Sequence, residues 1–340
     1  MRIVSLLIFL SIVFKISVCQ ESVKGPVSQS NRIVFYNVEN FFDPYFDSTR
    51  VYNEFTPEGD LHWNYKKYQK KRKDIYKTLT AIAGWKPLTV IGLAEIENFL
   101  VLYELLEKTP FKNENYKIVH FESDDFRGID LGVIYHADLF ELLNSFRIRI
   151  KTSEDTSFKT RDIIYMKGII QSDTLHLFYN HWTSRYRGLL ESKKYRMLAA
   201  QILKSKIDSI CYLNPEANIL VMGDFNDNPT DESIRYLMNN GNCYLKQLEF
   251  TNGNKDVKGT LKYQANWSYF DQTLVSESLI KEENNLFIKD NKTYIFDSKF
   301  LLEADKKYLG LKPFRTNIGF KYNGGISDHL PIYVDIISNK

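Results

Sequence analysis

Residues 218–228 read "NILVMGDFNDN". The apolar run Ile219–Met222 ends at Gly223, and Asp224, Asn226 and Asp227 follow at once. A short apolar run closed by glycine reads as a core strand covered on both faces. The oxygen-bearing side chains come where that strand must surface. Rigid strand ends are where α/β proteins hold reactive groups against a ligand.

The same form recurs along the chain. "RIVFYNVEN" (32–40) ends on Asn37, and "VIGLAEIEN" (90–98) on Glu95. "LHLFYNHW" (175–182) ends on Asn180 and His181, and "GGISDHLPIYVDI" (324–336) sets Asp328 and His329 just before a strand. One polar strand end would carry no message. Five, rich in carboxylate, amide and imidazole, point to one shared site. Further strands are expected at "DLGVIYH" (130–136) and "DIIYMKGII" (162–170). Tyr68, Ile75, Leu79 and Ile82 recur at helical spacing within 65–82, and 189–212 repeats the pattern. The expectation is an α/β domain of two packed sheets with outer helices. The helix at 65–82 carries Lys66, Lys67, Lys70, Lys71, Arg72, Lys73 and Lys77. It is read as a solvated face in preference to a phosphate-tracking patch.

The chain of 340 residues is 44% hydrophobic and 14% aromatic, enough to bury a large core. Its start stands apart. Arg2, an apolar run from Ile3 to Phe14 and Ser17-Val18-Cys19 have the layout of a signal peptide over residues 1–19. The run is too short to span a bilayer. An exported protein, periplasmic or extracellular, is expected, with a lipid on Cys19 as the alternative. Residues 20–31, "QESVKGPVSQSN", read as a flexible lead-in, and 32–340 as the working domain. Removing residues 1–19 takes away Arg2 and Lys15 and lowers the net charge from +3 to +1. A polyanion would therefore have to meet a local basic patch. Cys211 and Cys243 remain, with a disulfide and two buried thiols both open.

Hard oxygen ligands such as Glu95 and Asp328 suit Mg²⁺ or Mn²⁺. The sequence has no Cys/His cluster at zinc spacing, no Walker-type glycine loop and no nucleophile-elbow serine. Water is then the economical nucleophile, attacking a metal-clamped phosphorus centre, with a histidine near a carboxylate as base or electrostatic partner.

Six motifs in order carry a resemblance: "YNVENFFD" (36–43), "LAEIEN" (93–98), "NHWTSR" (180–185), "VMGDFNDNP" (221–229), "WSYFDQTLVS" (267–276) and "GGISDHLPIYV" (324–334). Together they resemble the endonuclease/exonuclease/phosphatase superfamily, the group of pancreatic deoxyribonuclease, over residues 32–338. The resemblance implies a four-layer sandwich of two mainly antiparallel β-sheets flanked by helices. It also implies metal-dependent hydrolysis of phosphate esters. Carried over motif by motif, Glu95, Asp328 and Asn37 would lie at the metal. Asp224 would orient or deprotonate the attacking water, and Asn226 would hold that water or a phosphate oxygen. His329 would contact the scissile phosphate, held by Asp271. His181 would contact the phosphate too, with Asp130 of "RGIDLGVIY" (127–135) as its candidate partner against a turn role. Asn180, Arg161 and Arg185 are candidate substrate contacts. Glu97 is set aside.

Fold does not settle substrate. The leading expectation is a secreted endonuclease on DNA or RNA, acting as a monomer, since "NHWTSR" looks like bacterial extracellular nucleases. The alternative is a phosphatase or phospholipase-type phosphodiesterase on inositol phosphates or sphingomyelin. A lipid-cleaving enzyme would need a membrane-contacting hairpin, and no exposed aromatic loop is expected. A catalytically inactive binding module comes last, because Glu95, Asp224, Asn226, Asp271, Asp328 and His329 are all present.

Overall fold

The computed structural model describes residues 29–48 and 52–339. The expected signal peptide, Cys19 and residues 20–28 of the lead-in lie outside the described residues.

The first sheet is built on β1 (Gln29–Phe41), which pairs in parallel with β2 (Val90–Ile96) and antiparallel with the strand Ile332–Ser338. Beyond β2 it continues through β4 (Asp130–His136) to β3 (Tyr116–His120). Beyond Ile332–Ser338 come the strands Lys292–Ile295 and Glu249–Thr251, with Leu286–Ile288 also on Ile332–Ser338. The second sheet runs β5 (Glu141–Ile148), β6 (Ile163–Ile170), β7 (Asp173–His181), β8 (Asn218–Asp224), Asp271–Ser276 and Leu245–Gln247.

Period-two alternation produces the layers. On β8, Leu220 and Met222 join the core shared with β1 and β2, whereas Ile219 and Val221 join a second core. That second core is roofed by Ala199, Leu203 and Ile207 of α3 (Leu189–Leu213) and by Ile234 and Leu237 of α4 (Glu232–Asn239). Tyr68, Ile75, Leu79 and Ile82 of α1 (Tyr65–Ala83) and Val101, Leu102 and Leu105 of α2 (Phe99–Glu107) cover the first sheet. Helices, sheet, sheet and helices form four layers. Each apolar side chain buried this way contributes about 1.5–3 kcal/mol. The sheets meet so closely that a Cβ on Gly92 would lie 2.2 Å from the Tyr179 ring.

Local chemistry sets the helix ends. Asn64 Oδ1 accepts from Lys67 N at 3.1 Å and Asn98 Oδ1 from Val101 N at 3.1 Å, each satisfying an orphan amide of a first turn. Gly84, at φ 65°, closes α1.

Two expectations change, and one open alternative is decided. Residues 29–31 are not lead-in but the start of β1, paired with Ser338, Ile337 and Ile336. The α1 face is not uniformly solvated, because Lys71 and Arg72 are buried and held by partners from outside the helix. Cys211 and Cys243 are joined as a disulfide, tying the end of α3 to the segment ahead of Leu245–Gln247.

Candidate active site

Strand pairing assembles the site before any side chain is considered. The parallel register of β7 on β8 sets His181 opposite Asp224. The antiparallel register on the other side sets Asp271 opposite the same residue. In the facing sheet the β2–β4 register slips between Ala94 and Ile96, and Glu95 in that irregularity has φ 64°. Glu39, Asn40 and Asn226 also have positive φ, at 50°, 58° and 51°. Such non-glycine conformations cost about 1–3 kcal/mol each and persist only where the surroundings enforce them. Here Asn40 N donates to Glu95 Oε2 at 2.8 Å, and Asn226 N donates to Asp224 Oδ1 at 2.9 Å.

Asn37 stands between the two sheets. Its Nδ2 donates to Asp224 Oδ2 at 3.1 Å and to Glu95 Oε1 at 3.4 Å, and its Oδ1 accepts from Glu39 N at 3.0 Å. Asn37 thus orients the two carboxylates through Nδ2, while Oδ1 accepts one hydrogen bond and keeps a second lone pair. Ser327 Oγ donates to the Asn37 carbonyl at 2.6 Å and accepts from His329 N at 3.0 Å. This brings the 327–329 turn over the same point.

His329 is held between two acids. Nδ1 lies 2.7 Å from Asp271 Oδ2 and Nε2 lies 3.8 Å from Asp224 Oδ2. Burial opposes charge on the ring, but Asp271 and Asp224 outweigh it and hold its pKa well above the usual histidine range. Burial pushes the Asp224 carboxyl up to about 6, with His329 pulling it down and Asp271 pushing it up. His181 Nε2 faces Asp224 at 3.7 Å and Glu95 at 3.9 Å. Burial, then Arg161, Arg127 and His329, hold this second ring well below the usual range and therefore neutral.

Around this centre lie groups the motifs did not single out. Burial pushes the Glu39 carboxyl up, while Thr316 N donates to it at 2.6 Å and Arg315 Nε at 3.4 Å. Arg315 Nη2 also donates to Asp328 Oδ2 at 3.0 Å. Lys71 Nζ donates to the Glu39 and Ile326 carbonyls and to Thr316 Oγ1. Arg127, 27% exposed, pairs with Asp125 at 3.3 Å and acts electrostatically on Glu95. Glu39 lies two positions after Asn37 in "YNVEN", Arg127 opens "RGIDLGVIY" and Lys71 belongs to the basic run of 65–82, whereas Arg315 had no signal in the sequence.

Several candidates fall elsewhere. Asp130 does not reach His181: its carboxylate is taken by His120 Nε2 at 3.0 Å and Ser123 N at 2.8 Å. His181 Nδ1 is buried without a partner among the described residues. Asn180 is spent on the strand, donating to the Phe178 and Met222 carbonyls and accepting from Trp182 Nε1 at 3.0 Å. Arg161, 3% exposed, sits behind the site on Asp125 and the Trp182 carbonyl, out of reach of a ligand. Arg185 braces the 226–231 loop through the Asn226 carbonyl, Asp227 and Asp231. Asn226 lies beside Asp224 and donates Nδ2 to the Trp182 carbonyl at 3.1 Å. Exposed aromatic loops exist, contrary to expectation: Phe46, Phe126, Tyr186 and Phe320 all project from loops or short turns.

The residues present fit a hard divalent cation. Glu95 and Asp328 keep 16% and 27% of their side-chain surface exposed at the mouth. One or two carboxylates plus water and substrate oxygens suffice for Mg²⁺ or Mn²⁺. Asp224, Asp271 and His329 also lie within ligand reach of one another. Both His329 nitrogens there already face carboxylates, however, and the charged ring supplies the cation itself.

A profile described as the endonuclease/exonuclease/phosphatase family matches residues 32–338. Among solved structures, one similar chain is an endonuclease/exonuclease/phosphatase family protein from Bacteroides thetaiotaomicron. It has a TM-score of 0.56 and 14% identity, with 92% of this chain and 99% of that one covered. The mannosyl-6-phosphatase of the same organism gives 0.55 and 16%, covering 90% and 99%. TDP2 from D. rerio, complexed with a single-strand DNA product, gives 0.54 and 15%, covering 90% and 98%. At these identities the likeness is one of fold. No curated protein matches the chain.

Proposed function

Because this chain belongs to the endonuclease/exonuclease/phosphatase family, and so is a phosphate-ester hydrolase, we propose that it is an exported, metal-dependent endonuclease that cuts DNA or RNA. The observation that carries this reading is the buried, charged His329 ring set between Asp271 and Asp224. Such a ring is a fixed positive charge suited to a phosphate diester.

Asp224, with its carboxyl pushed up to about 6, takes a proton from water as the water oxygen bonds to phosphorus. The phosphorus–oxygen bond on the opposite side breaks, and the ester oxygen leaves as an alkoxide that takes a proton from solvent. His329 stabilises the charge that grows on the phosphate oxygens, where preorganised donors act most strongly. Neutral His181 donates a hydrogen bond there without adding charge, and Asn226 holds a phosphate oxygen or the water. Asn37 keeps Glu95 and Asp224 apart and aligned. Glu95 and Asp328 would hold Mg²⁺ or Mn²⁺, which when bound supplies positive charge at the phosphate oxygens.

The DNA-bound TDP2 fold supports a nucleic acid substrate. The Cys211–Cys243 disulfide and the layout of residues 1–19 support export. No helix among the described residues is long and apolar enough to cross a membrane. A lipid phosphodiester is the second reading, favoured by exposed Ile318 and Phe320 on and beside the short hairpin that follows Arg315 and Thr316.

The test incubates the protein with supercoiled plasmid, structured RNA, sphingomyelin vesicles and a sugar 6-phosphate, each with Mg²⁺, with Mn²⁺ and with chelator. Nicked circles that vanish with chelator are expected. Turnover of only the lipid or the sugar phosphate would overturn the nuclease reading. Export is checked by mass spectrometry of protein from its native host. A start at Gln20 is expected, a diacylglycerol on Cys19 marks the anchored form, and an intact Met1 in the cytosol refutes export.

A further inference from the structure

A cavity of about 180 Å³ opens beside the catalytic centre, with Asp328 and Arg315 in its wall. Its opposite wall comes from two hairpins. One pairs Leu261–Tyr263 with Asn266–Ser268 and begins where Leu261 bridges to His329. The other pairs Leu302–Ala304 with Leu311–Pro313. The turn between the latter strands is organised by the Asp305 carboxylate, which accepts from Lys307 N at 3.1 Å, Tyr308 N at 3.0 Å and Lys262 Nζ at 2.9 Å. Lys262 Nζ also donates to the Leu309 carbonyl at 2.8 Å, so the two hairpins are fastened to each other. The cavity is built, not a gap between loose loops.

Its charge is unbalanced. Lys262, Lys307, Lys312 and Arg315 line it against Asp305 and Asp328. Asp305 answers Lys262, and Asp328 answers Arg315. Lys307 has no carboxylate partner among the described residues, and Lys312, 29% exposed, meets Glu303 only at 3.6 Å. Two aromatic rings complete the wall: Tyr263 is 71% exposed and Tyr308 36%. Lys307 Nζ lies over one face of the Tyr308 ring, 5.1 Å from its centroid, which holds the cation at the cavity without a carboxylate.

Surplus cations interleaved with open rings, next to a phosphate-cleaving centre, match a single chemistry. We infer that this cavity is a subsite for a nucleotide adjoining the scissile phosphate of a single-stranded nucleic acid. Lys307 and Lys312 take its uncleaved phosphate, and Tyr263 and Tyr308 take its base by stacking. An unstacked base can lie against a ring, whereas a paired base in a duplex cannot. The inference rests on the nuclease reading above and specifies its substrate.

The test measures binding of a phosphorothioate-linked hexathymidylate by fluorescence anisotropy over a range of salt concentrations with Mg²⁺. Wild type, Lys307→Ala/Lys312→Ala and Tyr263→Ala are compared after thermal melts confirm folding. Turnover of the all-phosphate hexamer and of bis(p-nitrophenyl) phosphate is followed in parallel. The double lysine variant is expected to bind about 10-fold or more weakly, with a slope of log K against log salt shallower by about 0.7, the value for one phosphate on a single strand. Tyr263→Ala is expected to lose about 10-fold on the hexamer and far less on an abasic hexamer. Unchanged slopes overturn the phosphate contacts, and equal losses on the abasic strand overturn stacking. Wild type that cuts the hexamer with both variants matching it overturns the subsite alone. Wild type that hydrolyses bis(p-nitrophenyl) phosphate but neither binds nor cuts the hexamer overturns the single-strand subsite, and overturns the nuclease reading as well when plasmid and structured RNA are also left intact.

Discussion

His329 Nδ1 lies 2.7 Å from Asp271 Oδ2, a contact between residues 58 apart in sequence and both buried. The carboxylate fixes the ring and favours its charged form, so the two act as one unit. His329→Ala is expected to lower kcat on an oligonucleotide by about 10²–10³. Asp271→Asn should reproduce much of that loss, since the ring stays but loses its charged partner. The double variant should fall far short of the product of the single effects. Steady-state kinetics on one substrate decide it, and full additivity would make the pair merely structural.

Asp224 governs the acid side of the pH profile. Its active form is the carboxylate, and its carboxyl is pushed up to about 6. The rate constant kcat/KM is therefore expected to be lost as pH falls through about 6 and to level off above it. Asp224→Asn should remove that limb along with about 10²–10⁴ of the rate. A profile of the wild type that stays flat down to pH 4 would assign the proton elsewhere.

Lys71 and Glu39 tie α1 to the segment that carries Asp328. Lys71 Nζ donates to the Glu39 carbonyl at 2.8 Å, and the Glu39 carboxylate accepts from Thr316 N. Burial pushes the lysine down and the glutamate up, and each opposes the other's shift. Lys71→Met leaves the Glu39 and Ile326 carbonyls and Thr316 Oγ1 without their buried donor and should cost about 1–3 kcal/mol of stability. Adding Glu39→Gln should recover part of it. Denaturant unfolding measures both, and a Lys71→Met protein as stable as wild type would refute the tie.

The Cys211–Cys243 disulfide closes a loop with a sequence separation of 32 residues. Chain-entropy reasoning assigns such a link about 3–4 kcal/mol. Cys211→Ser/Cys243→Ser should lower the unfolding free energy by that order, and reductant should do the same to wild type while leaving the double variant unmoved. An effect of reductant on the double variant would place the sensitivity elsewhere.

Local pattern made much of this protein legible. Apolar runs closed by polar residues marked the ends of β2, β7 and β8, though β1 runs on past Asn37 to Phe41, and helical spacing marked α1 and α3 to within a residue. These signals are local, and so they survive in a single chain. Asn37, Glu95, His181, Asp224 and His329 could be named because each sits where an apolar period stops.

Partnership was decided only by the tertiary structure. Asp130 pairs with His120 and not His181, because the register of β3 on β4 sets it one strand beyond Glu95. A slip of one residue would turn every side chain to the other face. Lys71 and Arg72 belong to an almost uniformly basic run, where composition alone cannot tell a solvated face from a buried one. Lys71 could be buried only because Thr316 and Ile326, some 250 residues away, supply its acceptors. Sequence spacing shows which residues share a strand or a helix face. Which face meets which, and whose charge is answered by whom, depends on contacts between distant segments that exist only once the two sheets have packed.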